Sequence, residues 1–213
     1  MVRRVLLIGF ALALSAAAVP PPNLVLYGSF SNGDFTDWTT HDCTTACAYG
    51  TWTIALAPTA SGTAPPSGGY AATTGCNGVD CNSLTLGNSF SQTLPTIAGQ
   101  SYTLSFYYDA GLNASSGSEL QVRWNGAAVP GGTIINAAAS TWSQRTFTVT
   151  ATGTSTVLEF IGEQIPAQMY VTGISVTAAV PATPIPAALP LVIAGLAGLA
   201  LCWSFRRRLA PRG

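Results

Sequence analysis

The chain has 213 residues with eight basic and eight acidic side chains, and six of the eight arginines lie at its two ends. Residues 19–179 hold all eight acids but only Arg123 and Arg145 as strong bases, a formal charge of 2 minus 8, or −6. Because phosphate binding needs a basic surface, this charge excludes nucleic acid as a partner. The roughly 160 residues between the ends are enough for one domain with its own core.

The first eighteen residues have the order of an export signal. Arg3 and Arg4 precede an apolar run at 5–14, and alanines at 16–18 supply the small residues of a cleavage site. We therefore predict a signal peptide at residues 1–18. An uncleaved anchor is the weaker alternative, because the apolar run is short for crossing a bilayer.

Residues 19–179 are predicted to form an all-β ectodomain, an antiparallel β-sandwich of the jelly-roll type. Polar and apolar residues alternate with a period of two, and turn residues separate the runs. In 101–109, for example, Tyr102, Leu104, Phe106 and Tyr108 share one face while Tyr107 lies on the other. Asn125-Gly126 predicts a tight hairpin turn. Strands are predicted at 23–30, 51–57, 83–94, 101–109, 120–124, 142–151, 154–161 and 170–177.

Several of these segments resemble the galactose-binding-like jelly roll of family 4/9 carbohydrate-binding modules. They are residues 23–30 with Trp38, 90–94, 98–106, Trp142 and 174–176. The resemblance implies a sandwich that binds polysaccharide. Members of that family commonly hold a structural calcium with acidic residues, where this chain has Ser31 and Thr172-Gly173. The sequence therefore names no metal ligand, and it indicates no cofactor.

Four cysteines fall in the ectodomain, at Cys43, Cys47, Cys76 and Cys81. An even number in an exported domain favours disulfides, and the two local bridges 43–47 and 76–81 are our first choice. Four cysteines allow three pairings, which remain open. A zinc site is disfavoured, because exported thiols tend to oxidise and the spacing departs from the usual metal-binding pattern.

The sequence contains no motif for hydrolytic catalysis. His41 and Asp42 are adjacent, but neighbours in sequence do not make a catalytic triad and no nucleophile elbow is present. Glu119, Glu159 and Glu163 supply carboxylates for a glycoside hydrolase without forming a motif. We expect Glu159 to face solvent or an arginine across the sheet, and we predict that the protein is not an enzyme.

Sugar binding by stacking needs exposed flat aromatic rings, because one face of a sugar is apolar and its rim carries hydroxyl groups. Tyr107 is the best single candidate, since its neighbours occupy the opposite face of its strand. Tyr49 and Tyr70 are further ligand-binding candidates. Trp52 and Trp124 have suitable rings as well, but we expect them to fill the core.

The C-terminal 34 residues have three successive blocks. Residues 180–186 form a proline-rich linker, 187–205 form an uncharged apolar run long enough to span a membrane as a helix, and 206–213 form an arginine-rich tail. The cluster Arg206, Arg207 and Arg208 predicts that the tail lies in the cytoplasm and the ectodomain outside. These three blocks are also compatible with the alternative of a plain single-pass membrane anchor.

The order of these blocks closely resembles the PEP-CTERM sorting signal, in a form with a VPLPA-type proline motif. The matching residues are Pro184, Ile185, Pro186 and Ala187, the apolar run, and Arg206 to Arg208. The resemblance implies processing by an exosortase-type membrane protease in bacteria that make exopolysaccharide. We therefore expect an exported protein, first anchored in the inner membrane and then displayed at the cell surface or secreted. Its sandwich would bind exopolysaccharide, and the alternatives are a surface glycoside hydrolase or a structural adhesive protein without a ligand site.

Overall fold

A computed structural model describes residues 19–42, 51–57, 67–75, 88–111, 119–135, 137, 141–163 and 168–180. In these ranges the chain forms ten strands and no helix. The strands are β1 Thr39–His41, β2 Thr53–Leu56, β3 Tyr70–Thr74, β4 Asn88–Pro95, β5 Ser101–Asp109, β6 Glu119–Trp124, β7 Ala127–Ile135, β8 Ser143–Thr150, β9 Ser155–Glu163 and β10 Met169–Ala178.

The ten strands make two five-stranded antiparallel sheets. Sheet A has the order β2-β3-β10-β5-β8, and sheet B has the order β1-β4-β9-β6-β7. The β6–β7 hairpin is enclosed in turn by the pairs β5–β8, β4–β9 and β3–β10. Nested pairs of this kind are a long hairpin wrapped around itself, as in a jelly roll. The predicted all-β antiparallel sandwich is confirmed.

Seven of the eight predicted strands are confirmed, as β2, β4, β5, β6, β8, β9 and β10, with ends that differ by a few residues. Residues 83–87 of the predicted 83–94 strand lie outside the described residues. The alternation predicted for β5 is also confirmed, since Tyr102, Leu104, Phe106 and Tyr108 are buried and Tyr107 is half-buried on the opposite side. The apolar period therefore identified which face of β5 meets the core.

The strand predicted at 23–30 is wrong. Asn23 forms an isolated bridge to Thr177, but Tyr27 (φ 49°) and Phe30 (φ 53°) adopt left-handed backbone, which ends the extended run. The turn directs the Phe30 ring into the core, where it is fully buried. Alternation in this segment therefore marks buried side chains without specifying an extended backbone.

Three strands, β1, β3 and β7, lie where no strand range was predicted. β1 has only three residues, and the Tyr-Ala-Ala-Thr-Thr of β3 shows no apolar alternation. β7 contains Pro130 followed by two glycines, which argue against a strand. Its hairpin turn was nevertheless predicted correctly: Asn125 (φ 52°) and Gly126 (φ 81°) both have the positive φ that a two-residue type I′ turn requires.

Aromatic rings connect the two sheets across the core. Phe90 of β4 stacks on Phe160 of β9 with ring centroids 5.0 Å apart and planes inclined by 6°. Phe106 of β5, in the other sheet, places its ring edge-on to Phe160 at 5.1 Å. Trp38 and Trp52 pack edge-on against Phe90 at 5.2 Å and 4.7 Å. All five rings are buried, so this cluster holds sheet A and sheet B face to face.

Gln92 of β4 fastens the N-terminal segment to sheet B. Its side chain is buried, and its Oε1 accepts a hydrogen bond from the Leu26 N–H at 2.9 Å. Its Nε2 donates to the carbonyl oxygens of Leu26 and Asp37, each at 3.1 Å. One amide therefore satisfies three backbone groups in a segment that has few strand hydrogen bonds of its own.

The predicted ends of the chain lie outside the described residues. These are the signal peptide at 1–18 and, beyond Val180, the linker, the span and the arginine-rich tail. Cys43, Cys47, Cys76 and Cys81 also lie there, so their pairing stays a prediction. The chain divides into two compact units, Met1–Ala179 and Val180–Gly213, and every described strand belongs to the first. No helix among the described residues is long and apolar enough to cross a membrane.

We predict that Gln92→Leu lowers the free energy of unfolding by about 3 kcal/mol, because three backbone groups lose their partner in a water-poor site. Urea denaturation followed by tryptophan fluorescence measures this change. Gln144→Leu, at an exposed position of β8, is the matched control and should change stability by less than about 0.5 kcal/mol. Equal effects of the two substitutions would contradict the role assigned to Gln92.

Candidate functional site

The outer face of sheet A is an ordered array of hydroxyl, aromatic and amide side chains. It crosses β10, β5 and β8, whose side chains pair in rows, with a shift of β10 at a bulge between Thr172 and Ser175. Neighbouring strands lie about 4.8 Å apart, and successive rows about 6.8 Å apart. The rows are Thr177–Thr103–Thr148, Ser175–Ser105–Thr146 and Thr172–Tyr107–Gln144, followed by Tyr170–Asp109 with Trp142 just before β8.

Three aromatic side chains gather at one end of this face. Tyr107, Trp142 and Tyr170 are all half-buried, and the rings of Trp142 and Tyr170 lie 6.5 Å apart. The Tyr170 hydroxyl donates a hydrogen bond to Gln168 Oε1 at 3.1 Å. The other end of the face carries Ser and Thr hydroxyls. There the Ser101 Oγ and the Thr150 Oγ1 lie 3.3 Å apart and share a hydrogen bond. The face therefore offers ring surfaces and hydroxyl groups side by side.

A β-bulge sets the position of Tyr107. The pairing of β10 with β5 shifts register between Thr172 and Ser175, and Gly173 adopts a φ of 62° there. A Cβ at Gly173 would lie 3.0 Å from Tyr107 Cδ2 and 3.4 Å from Ser67 Cβ, so the Tyr107 ring covers the glycine closely. The bulge therefore provides the flat surface on which this ring rests.

Thr172, beside the bulge, is buried, and its side chain links β10 to β3. Its hydroxyl donates to the Tyr70 carbonyl oxygen at 2.8 Å and accepts a hydrogen bond from the Ser67 hydroxyl at 2.7 Å. Thr172 is thus occupied by hydrogen bonds at the position where the family resemblance would place a calcium ligand. Among the described residues no group of three or more His, Cys, Asp or Glu side chains could hold a metal ion.

Asp109 lies beneath the aromatic end and is fully buried. Its Oδ1 accepts a hydrogen bond from the Gly111 N–H at 2.7 Å, while its Oδ2 has no hydrogen-bond partner among the described residues. Burial raises the pKa of the Asp109 carboxyl, and the N–H groups of Gly111 and Thr141 partly oppose this increase. The carboxyl therefore joins the end of β5 to the residue that precedes Trp142.

The Tyr170 phenol responds to the same environment. Burial raises the pKa of Tyr170, and the nearby negative charge of Asp109 raises that pKa further, whereas the Thr73 hydroxyl has the opposite effect. Tyr170 and Asp109 are directly opposite each other in β10 and β5. The shifted pKa values of the buried Asp109 carboxyl and of Tyr170, one of the three rings, mark this end of sheet A as a candidate site.

The predicted ligand-binding residues have three different outcomes. Tyr107 lies on the outer face of sheet A, as predicted. Tyr70 begins β3 and is half-buried; its ring packs near Gly33 and against the core, and its carbonyl oxygen accepts a hydrogen bond from Thr172 in the row of Tyr107. Tyr49 lies outside the described residues.

Trp52 and Trp124 fill the core, as expected. Both are buried, and each indole N–H donates to a backbone carbonyl oxygen: that of Asn88 at 2.8 Å for Trp52 and that of Thr150 at 3.0 Å for Trp124. Neither ring is available as a platform on the outer face of sheet A.

Sequence reasoning missed Asp109, Trp142 and Tyr170. All three lie at the limits of predicted strands, where alternation no longer assigns a face. The usable signal is that Asp109 follows Tyr107 by two residues and so shares its side of β5. Finding Tyr170 and Trp142 needs the register of β10 and β8, which the local sequence does not contain.

The candidate hydrolytic residues lie elsewhere. Glu159 faces Arg123 across sheet B with 4.0 Å between Oε2 and Nη1, which is the second of the two surroundings expected for it, solvent or an arginine. Glu119 is four residues from Arg123 along β6, which places it about 14 Å from Glu159, too far for the two carboxylates of a glycosidase. Glu119 and Glu163 are opposite in register at the end of sheet B.

His41 is exposed at the end of β1, and Asp42 follows it, also exposed. Neither residue lies on sheet A, whose outer face carries the aromatic end.

Two clefts lie apart from the aromatic end of sheet A, although the second reaches Thr148 and Thr150 at the opposite end of its outer face. Both are open depressions at the margins of the sandwich. One, of about 370 Å³, is lined by Leu24, Leu26, Asp37, Thr39, Gln92, Thr93 and Pro95. The other, of about 250 Å³ and largely apolar, is lined by Trp124, Ala127, Ala128, Val129, Pro130, Thr148, Val149 and Thr150.

No protein-family model and no curated protein matches the sequence. Solved structures do match the fold. The enzymatically active domain of tailspike protein 4 from bacteriophage CBA120 has a TM-score of 0.53 and 14% identity over 74% of this chain and 21% of its own. This chain therefore spans about a fifth of that domain's length.

Carbohydrate-binding modules are among the similar structures. A family 61 module in complex with β-1,4-galactotriose has a TM-score of 0.51 and 13% identity over 74% of this chain and 99% of its own. The CBM22-1 xylan-binding domain of Paenibacillus barcinonensis Xyn10C has a TM-score of 0.47 and 16% identity, and the match covers 76% of this chain and 97% of that domain. The TM-score of the family 61 module shows a shared β-sandwich fold, and at 13% identity it shows the fold alone.

We predict opposite pH dependences for two aspartates. The pKa of the Asp109 carboxyl is raised in the folded state, so the folded protein keeps the carboxyl proton to higher pH than the unfolded chain does. Aspartates in the unfolded chain titrate at about pH 3.9. The free energy of unfolding should therefore fall as pH rises through that window, and Asp109→Asn should remove this fall. Urea denaturation at a series of pH values measures it.

Asp34 provides the control of opposite sign. Hydrogen bonds from the Thr36 hydroxyl and N–H hold the pKa of Asp34 below its usual range. Its contribution to stability is present above the unfolded pKa and is lost as pH falls, so Asp34→Asn should weaken the protein only at the higher pH. Parallel pH profiles for the wild type and Asp109→Asn would contradict the assignment.

Proposed function

We propose that residues 19–179 form a noncatalytic polysaccharide-binding domain whose site is the aromatic end of the outer face of sheet A. The observation that carries this proposal is the grouping of Tyr107, Trp142 and Tyr170 beside rows of hydroxyl side chains. A pyranose ring has an apolar face and a rim of hydroxyl groups. The rings stack on the first, and the Ser, Thr and Gln side chains exchange hydrogen bonds with the second.

Rigid support makes this face suitable for binding. Tyr107 rests on the bulge at Gly173, and Asp109 connects the end of β5 to the residue before Trp142. Side chains held by strands and buried contacts lose little conformational freedom when a ligand arrives. Asp109 is fully buried beneath the rings, so it cannot contact a ligand itself. We assign it the role of a positioning residue for the side chains above it.

The similar solved structures add support from the fold. The family 61 module was solved with β-1,4-galactotriose bound, and another similar structure is described as a xylan-binding domain. A polysaccharide ligand for this chain agrees with its resemblance to family 4/9 modules. The location of the site on the outer face of sheet A depends on the side chains of this chain alone, and the variants below test it.

The same proposal covers where the protein acts. A signal peptide at 1–18 would export the chain, and the PEP-CTERM-like tail at 180–213 would hold it in the inner membrane until an exosortase-type protease processes it. The ectodomain would then meet exopolysaccharide at the cell surface or in the medium. Export and sorting rest on sequence order alone.

A glycan array probed with the full chain in detergent tests the site. We predict selective binding that becomes at least about tenfold weaker in Tyr107→Ala and in Trp142→Ala, because each loses a stacking ring. Tyr107→Phe keeps the ring and should keep most of the affinity. Ile135→Ala, which removes an exposed apolar side chain from β7 of sheet B, should bind like the wild type. A folded protein that binds no glycan would favour a structural adhesive role.

Deleting residues 180–213 tests the sorting proposal separately. We predict that the truncated protein leaves the membrane fraction and appears in the medium, because the predicted span and the arginine cluster are gone. Fractionation and immunoblotting measure this. Membrane retention of the truncated protein would contradict the anchoring role of the tail.

A further inference from the structure

We propose that the glycan bound by the outer face of sheet A is electrically neutral, and that uronate-containing or sulfated polysaccharides are excluded. This inference rests on the proposed function, because it specifies the ligand of that same site. The positions of the basic and acidic groups of the domain carry it.

The domain has almost no cations with which to bind an anionic polymer. Residues 19–179 contain no lysine, two arginines and one histidine, and this count covers every loop in that part of the chain. Recognition of carboxylate, sulfate or phosphate groups in proteins normally uses arginine or lysine. The positions of Arg123, Arg145 and His41 therefore decide whether the outer face of sheet A could bind an anionic polymer.

None of the three is placed on the outer face of sheet A. Arg123 lies in β6 of sheet B, where it pairs with Glu159. His41 ends β1, also in sheet B. Arg145 does belong to sheet A, but it alternates in β8 with the exposed Gln144 and Thr146, and so lies on the inner side with Phe147. Its Nε is buried, which agrees with that orientation.

The acidic groups act in the same direction. The formal charge of −6 for residues 19–179 repels an anionic polymer at the domain surface, over a range of about 10 Å at 0.1 M salt. Asp109 lies directly beneath the aromatic end. A second negative charge brought close to it would find no compensating cation.

Neutral sugars need none of these charges. Apart from the buried Thr172 and the stacking ring of Tyr107, the side chains of the three rows are neutral donors and acceptors, matched to the hydroxyl groups of a hexose or pentose. Stacking on Tyr107 and Trp142 is also insensitive to salt, because it removes apolar surface from water. Binding to this face should therefore depend little on ionic strength.

Affinity electrophoresis of the full chain in detergent tests the inference. The gels contain galactan or xylan as neutral polymers, and polygalacturonate or alginate as anionic ones. We expect retardation in at least one neutral gel, unchanged by added salt, and none in the anionic gels with either calcium or EDTA present. Retardation of the wild type in an anionic gel, including a calcium-dependent one, would overturn the inference.

A gain-of-charge pair locates the effect. Thr146→Lys adds a cation in the second row of the outer face of sheet A, and Thr93→Lys adds the same cation to an exposed position of sheet B, beside the larger cleft. We expect Thr146→Lys to gain retardation by polygalacturonate at low salt, which high salt removes, and Thr93→Lys to gain less than half of that shift. Equal gains, or a gain with Thr93→Lys alone, would overturn the placement of the ligand on sheet A.

The outcomes separate this inference from the proposed function. Retardation in anionic gels that depends on Tyr107 leaves a glycan-binding site in place and refutes only its neutrality. Retardation in neither class of gel, together with a silent glycan array, refutes both. Circular dichroism and urea denaturation of each variant show that lost or gained retardation does not come from unfolding.

Discussion

The Phe160 ring is the contact on which the two-sheet arrangement depends. It stacks on Phe90 within sheet B and receives the edge of Phe106 from sheet A. Since Phe106 points into the core at this contact, its neighbour Tyr107 must point out. The orientation of the rows on the outer face of sheet A follows from this, because β8 pairs with β5 in unbroken register and β10 pairs with β5 on both sides of the bulge. The core contact and the candidate site are thus opposite sides of one strand.

Much of the sandwich could be predicted because seven strands carry a clear apolar period, and β5 shows how directly that period reports burial. The failures have local causes. At residues 23–30 the pattern was apolar but left-handed backbone at Tyr27 and Phe30 turned the chain. β3 reads Tyr-Ala-Ala-Thr-Thr, whose small residues are buried without alternating. β7 holds Pro130 and two glycines, which elsewhere would break a strand but are tolerated here at the edge of a sheet.

The candidate site was less predictable than the fold, since it depends on residues distant in sequence. Tyr107 could be chosen from its own strand. Tyr170 joins it through the pairing of β10 with β5, and Trp142 through the pairing of β5 with β8. The bulge at Gly173 then shifts β10 so that Tyr107 covers the glycine. Register and bulges are properties of strand pairs, and a single strand's composition does not contain them.

The two strands that end the sheets on the same side, β7 and β8, affect how copies of the domain behave when crowded. The formal charge of −6 on residues 19–179 makes copies of the domain repel one another, but salt screens this repulsion beyond about 10 Å at 0.1 M, so the strand edges themselves must hinder pairing at close contact. Pro130 removes a backbone donor from β7, and the pairing of β7 with β6 is irregular beside it. Arg145 turns a charge inward on β8, which a docking strand would have to accommodate. Both devices hinder the addition of another strand to this side of the sandwich, so these two edges are poor templates for fibre growth between crowded copies.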